Sequence, residues 1–131
     1  MIPKPSLFAL LAVTPFFLSC QSLPHNRNIE IVSMTRAIDT SAPDHQMCSS
    51  FSLTKENIAT YFSKANEIDE HEFHHEAMIL PCKYQGSIRI DGQYLQWEIF
   101  AGGAGYLYNN KTVNKRYLCK NDCCKSLPNL C

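Results

Sequence analysis

The two-residue turn Asp91-Gly92 constrains this chain more than any other feature. Both residue types tolerate positive φ, and a turn built that way matches the twist of two antiparallel strands. Folding the chain there sets Ile90 opposite Gln93, Ile88 opposite Leu95, Gly86 opposite Trp97 and Tyr84 opposite Ile99. One face of the hairpin then collects Tyr84, Ile88, Ile90, Leu95, Trp97 and Ile99. The other collects Ser87, Arg89, Tyr94, Gln96 and Glu98. A slip of one residue would exchange the faces, so a register that sorts both strands at once is strongly specified. Gly86 opposite Trp97 leaves room for the indole to lie across the neighbouring strand. After Phe100, a glycine-rich reversal over residues 101–105 leads into a third strand at Tyr106-Leu107-Tyr108. Asn109-Asn110 is a turn, and weak alternation over residues 112–119 predicts a fourth strand.

Upstream, residues 28–36 alternate as a strand, and residues 37–47 hold Asp39, Ser41, Pro43 and Asp44, a loop composition. Residues 48–53 read as a short strand. Thr54 is then a helix N-cap, with Leu53 before it and Ile58 four residues in, the spacing of a hydrophobic staple. Ile58, Tyr61, Phe62 and Ala65 recur at helical spacing, which predicts a helix over residues 55–66 with its apolar face on the sheet. Residues 67–76 read as an exposed acidic, histidine-rich loop or frayed helix end, and Pro81 puts the approach to the hairpin at an edge. The expected fold is α+β: one helix packed on a three- to four-stranded antiparallel meander, stapled by disulfides.

The first residues carry a targeting signal. Lys4 precedes a mostly apolar run over residues 7–18, too short to span a bilayer as a helix. The run ends in Phe17-Leu18-Ser19-Cys20, which resembles the lipobox of bacterial lipoproteins. That resemblance implies cleavage before Cys20, diacylation of its thiol and acylation of the new amino terminus. Residues 1–19 would be the signal peptide, residues 20–28 a lipid-anchored tether and residues 29–131 a single small domain. Two or three acyl chains anchor a protein stably where one does not. Gln21, where an aspartate would signal inner-membrane retention, resembles outer-membrane sorting. The competing reading is an ordinary secretion signal. The body also resembles small, cysteine-bearing bacterial lipoproteins without assigned activity, through Pro81-Cys82, Trp97-Glu98-Ile99 with its glycine turn, and the cysteine tail.

Removing residues 1–19 takes only Lys4 from the charged residues, which leaves eleven basic against twelve acidic. That balance gives no electrostatic footprint for nucleic acid. The charge is uneven, however. Glu67, Asp69, Glu70, Glu72 and Glu76 form an acidic stretch, while Lys111, Lys115, Arg116, Lys120 and Lys125 crowd the tail. With Cys20 assigned to lipid, Cys48, Cys82, Cys119, Cys123, Cys124 and Cys131 remain, an even set that reads as up to three disulfides in an oxidising compartment. Adjacent Cys123 and Cys124 are poorly placed to bond each other. Six cysteines allow fifteen connectivities, and the sequence does not choose among them; the favoured arrangements are tail cysteines reaching back to Cys48 and Cys82, or a bridge from Cys119 to Cys131. A zinc knuckle in the tail is the alternative, but the spacing is not C-x2-C.

His71-Glu72-Phe73-His74-His75 contains H-E-x-x-H. In zincin metalloproteases, which the motif resembles, His71 and His75 would be zinc ligands and Glu72 the general base. The charged flanks, the nearby Pro81 and the small domain argue against a catalytic zinc centre. A milder reading keeps His71, His74 and His75 as ligands for periplasmic zinc or copper, since imidazole suits both. The glycine turn leads into a strand and not a helix, so it does not read as a phosphate loop. The sequence therefore favours a non-enzymatic cell-envelope lipoprotein without an obligatory cofactor. It would be held at the membrane by lipid and would bind a protein partner through the acidic histidine segment and the glycine turn.

Overall fold

The structure, a computed structural model, describes residues 2, 3, 5, 12–16 and 27–131; Cys20 and the expected cleavage site lie outside them. The hairpin forms as the turn dictates. β4 (Cys82–Ile90) and β5 (Gln93–Phe100) pair with Ile90 opposite Gln93, Ile88 opposite Leu95, Gly86 opposite Trp97 and Tyr84 opposite Ile99. Asp91 and Gly92 take φ of 50° and 82°, both in the left-handed region the turn needs. All six residues assigned to the apolar face are buried, Ile88, Trp97 and Ile99 completely.

The sheet is wider than the expected meander. Among the described residues it has seven strands, in the order β1 (Ile29–Ile31), β4, β5, β6 (Ala104–Tyr108), β7 (Asn114–Leu118), β3 (Asn66–Ile68), with β2 (Thr35–Ile38) also on β4. β1 (Ile29–Ile31) and β2 (Thr35–Ile38) share one edge of β4. They are the expected residue 28–36 strand, interrupted by a bulge. Ile31 faces Ile88 and Thr35 faces Gln85, so the outer strand carries one extra residue. The Val32 and Ser33 amides both donate to the Ser87 carbonyl, at 2.9 and 3.2 Å. β6 (Ala104–Tyr108) and β7 (Asn114–Leu118) continue the sheet as expected. The last strand, β3 (Asn66–Ile68), was hidden in sequence: it is short and polar, and tertiary pairing with β7 makes it extended.

α1 (Lys55–Lys64) has the expected cap. Thr54 Oγ1 accepts from the Asn57 amide while Asn57 Oδ1 accepts from the Thr54 amide, satisfying two otherwise orphaned donors. The helix stops at Ala65, whose extended ψ of 147° turns the chain into β3, two residues short of the expected end. Ile58, Tyr61 and Phe62 face the sheet, where Phe62 packs edge-on against Trp97 and Tyr117. Each such aromatic contributes about 2–3 kcal/mol of burial before entropy is subtracted. Residues 48–53 are not the expected strand. A 3-10 helix covers His45–Ser50, because Cys48 is bridged to Cys82 beneath the sheet edge and Arg36 donates to the Cys48 carbonyl.

The glycine reversal serves packing, not exposure. Gly103 and Gly105 are buried. A Cβ on Gly105 would lie 2.4 Å from the Tyr61 hydroxyl, which itself donates to the Gly103 carbonyl at 2.9 Å. Only Gly102 of this turn is exposed, so the expected contact surface there does not form. Burial pushes the phenol of Tyr61 well up and raises that of Tyr117, the latter with a smaller push from Glu67. A raised phenol pKa stabilises the fold fully below the unfolded value of 10.0 and loses that contribution as pH rises beyond it. Thermal melts across the alkaline range should therefore fall more steeply above that pH than in Tyr61→Phe.

Candidate functional site

Three of the expected features converge at one end of the sheet. Of the two readings of the acidic stretch, the helical one holds, as a separate capped helix: Asp69 caps α2 (Glu70–Glu76), its carboxylate accepting from the Glu72 amide at 2.7 Å. α2 lies on the sheet face opposite α1. Phe73, the one buried residue of α2, packs with Ala104, Leu118 and Tyr106 in a second small core. Its ring lies 5.0 Å from that of Tyr106. Opposite charge holds the helix down. Glu67 pairs with Lys115 at 3.6 Å, Glu70 with Arg116 at 4.0 Å, and Lys120 reaches both Glu72 and Glu76 at 2.6 and 2.9 Å. The hydrogen bonds that the Lys120 ammonium donates to Glu72 and then Glu76 hold its pKa above the usual value. The acidic run and the basic tail, separate in sequence, thus neutralise each other.

Between α2 and the sheet is a cleft of about 710 Å³. Phe73, Ala77, Ile79 and Tyr106 form its apolar walls, and Glu70, His71, His74 and Arg116 its rim. Ile79 also borders a neighbouring hollow of about 540 Å³ lined by Leu80, Pro81, Lys83 and Phe100. Met78 and Ile79, beside the cleft, are 63% and 51% exposed. The sheet face beyond carries Tyr94, Tyr108 and Glu98; Tyr94 donates to Ser87 Oγ at 2.8 Å, and Lys83 pairs with Glu98 at 2.5 Å. α2 covers only one end of this face.

His71, His74 and His75 all sit on α2 and are exposed. The His71 and His75 rings, one turn apart, have centroids 4.4 Å apart. The helix is seven residues long, and Glu72, the residue of the general-base reading, is engaged by Lys120. Among the described residues, the donor atoms of Cys119, Cys124 and Cys131 are the one set of three within 4.8 Å of one another; the three histidines make no such set. Those sulfurs are committed to bridges, since the pairs are Cys48–Cys82, Cys119–Cys123 and Cys124–Cys131. All six candidate cysteines are used. Neither of the favoured arrangements forms: no tail cysteine reaches Cys48 or Cys82, and Cys119 does not bond Cys131. The reason is local. α3 (Asp122–Ser126) points Cys123 inward towards Cys119 and Cys124 outward towards Cys131.

Phe73, Tyr106, Arg116 and Ile79 were not singled out from sequence, although Phe73 is a lone aromatic in a charged run and Met78-Ile79-Leu80 an apolar run outside any strand. No helix among the described residues is long and apolar enough to cross a membrane. No family model matches the chain, and no curated protein or solved structure is similar to it.

Proposed function

We propose that the protein is a non-enzymatic binding module of the cell envelope, anchored by lipid at Cys20, that holds a segment of a partner protein in the α2 cleft. The observation that carries this reading is the cleft itself: apolar walls, two exposed aliphatic residues beside it, and a rim of one guanidinium, one carboxylate and two imidazoles. Such a site suits an apolar side chain flanked by a carboxylate: Phe73, Ile79 and Tyr106 cover the hydrocarbon, and a partner's anion would compete for Arg116 with the exposed Glu70, which meets it only at 4.0 Å. The three bridges and the sheet keep the walls fixed before binding, which lowers the ordering cost of association. Nothing in the rim pairs a nucleophile with a base, so the groups present fit recognition better than catalysis.

The test is a photo-crosslinking residue at position 79, installed in the full-length protein in cells, with position 55 on the exposed side of α1 as control. A discrete adduct at 79 that is absent at 55, and lost with Arg116→Glu, supports the cleft. Equal adducts at both positions, or none at 79, would overturn it.

The second reading is zinc or copper binding through His71, His74 and His75, favoured by the close approach of the His71 and His75 rings. It requires metal affinity that disappears when all three histidines are replaced together.

A further inference from the structure

The sulfur atoms of Cys119, Cys124 and Cys131 lie within 4.8 Å of one another, although they belong to two separate bridges. Two disulfides in a tail have no need to touch. The bridges also differ in access: Cys131 is exposed and Cys124 half-buried, whereas Cys119 is 8% exposed and Cys123 fully buried. Cys124 Sγ sits 3.1 Å from the Cys119 carbonyl and Cys131 Sγ 3.9 Å from it. Contacts other than the bridges hold this geometry. Leu127 and Leu130 are buried, and the Leu130 carbonyl accepts from the Gly102 amide at 2.8 Å. Opening the outer bridge would therefore leave its sulfurs beside Cys119.

We propose that the tail is a thiol–disulfide exchange centre, in which the exposed Cys124–Cys131 bridge takes electrons from a protein dithiol and passes them to the buried Cys119–Cys123 bridge. In the first step a thiolate of the dithiol attacks Cys131 Sγ. The Cys124–Cys131 bond breaks, and Cys124 leaves as a thiolate. The second thiolate of the donor attacks its own sulfur in the mixed disulfide, which oxidises the donor and frees Cys131. Cys124 then attacks Cys119 Sγ: a Cys119–Cys124 bond forms, the Cys119–Cys123 bond breaks, and Cys123 leaves and takes a proton. Two electrons and two protons have moved from the dithiol to the chain, which now holds one tail bridge and two thiols. Exchange of this kind depends on thiolate access and proximity. Both favour the outer bridge as the point of attack, and both protect Cys48–Cys82, whose residues are 0% and 1% exposed. This inference stands independently of the cleft.

The direct experiment uses the oxidised Cys131→Ser protein, alkylated and mapped by mass spectrometry. Cys124 is then a free thiol with no outer partner, and the final step can run without an added reductant. The expected result is a Cys119–Cys124 peptide alongside Cys119–Cys123, with alkylation divided between Cys123 and Cys124. Cys119–Cys123 alone, with all the label on Cys124, would overturn the proposal. Because that variant can fail to fold, the wild-type protein treated with equimolar dithiothreitol gives a second readout. The expected products are an intact Cys48–Cys82 bridge, a Cys119–Cys124 bridge beside the remaining Cys119–Cys123, and label on Cys131 throughout and divided between Cys123 and Cys124. Label confined to Cys124 and Cys131, with Cys119–Cys123 unchanged, would contradict the relay.

Discussion

Gly86→Ala is expected to lower the unfolding free energy by about 3 kcal/mol or more, a large fraction of the stability of a domain this size. The glycine lies in β4, the most heavily paired strand, where the bulge between β1 and β2 brings the Ser33 carbonyl over the sheet. A Cβ at Gly86 would stand 2.0 Å from the Ser33 oxygen and 2.6 Å from its carbon. Both are backbone atoms, so relief requires the bulge to move. Movement would disturb the paired amides of Val32 and Ser33 at the Ser87 carbonyl, and with them the Trp97 indole, which donates to the same oxygen at 3.2 Å. Gly92→Ala is the matched control. Its Cβ meets nothing within 4 Å, and only its φ of 82° opposes the substitution, a cost of about 1 kcal/mol. Urea denaturation of both variants measures the difference. Equal losses would mean that the bulge yields easily.

Removing the Cys48–Cys82 bridge should be as damaging. It links residues separated by 34 positions, and closing a loop of that length restricts the unfolded chain by about 4 kcal/mol. The tail bridges close loops with separations of 4 and 7, for which the same relation gives only about 2 kcal/mol each. The Cys48→Ala/Cys82→Ala protein should therefore show a lower denaturation midpoint than a protein lacking either tail bridge. The large bridge also pins the 3-10 helix and α1 to the edge of β4, so its loss frees a whole layer. The opposite order of midpoints would place the stabilising role in the tail.

The hairpin was legible because two independent signals, the Asp91-Gly92 turn and the alternation of two strands, agree on one register. α1 was legible for a similar reason, since the Thr54 cap and the spacing of Ile58, Tyr61 and Phe62 coincide. Elements decided by distant partners were not. β3 has no alternation of its own and is extended because β7 offers an edge. Gly86 does lie opposite Trp97, but the closer constraint on it, the Ser33 carbonyl of the bulge, was not legible because Ser33 is far away in sequence. The disulfides eluded spacing arguments because a five-residue helix sets the directions of Cys123 and Cys124. At the candidate site, the charges of residues 67–76 and of the tail were both conspicuous. Their mutual pairing, and the cleft beneath Phe73, depend on a sheet edge that sequence did not reveal.

The central claim is that a rigid, three-bridged binding domain is carried on the membrane by lipid at Cys20. Native mass spectrometry of the protein taken from membranes without chelator, before and after reduction, tests it most directly. The account predicts a chain beginning at Cys20, bearing acyl groups, gaining the mass of six hydrogens on full reduction, and free of metal. An unacylated chain, or zinc or copper retained in stoichiometric amount by the oxidised protein and lost on replacing His71, His74 and His75, would contradict it.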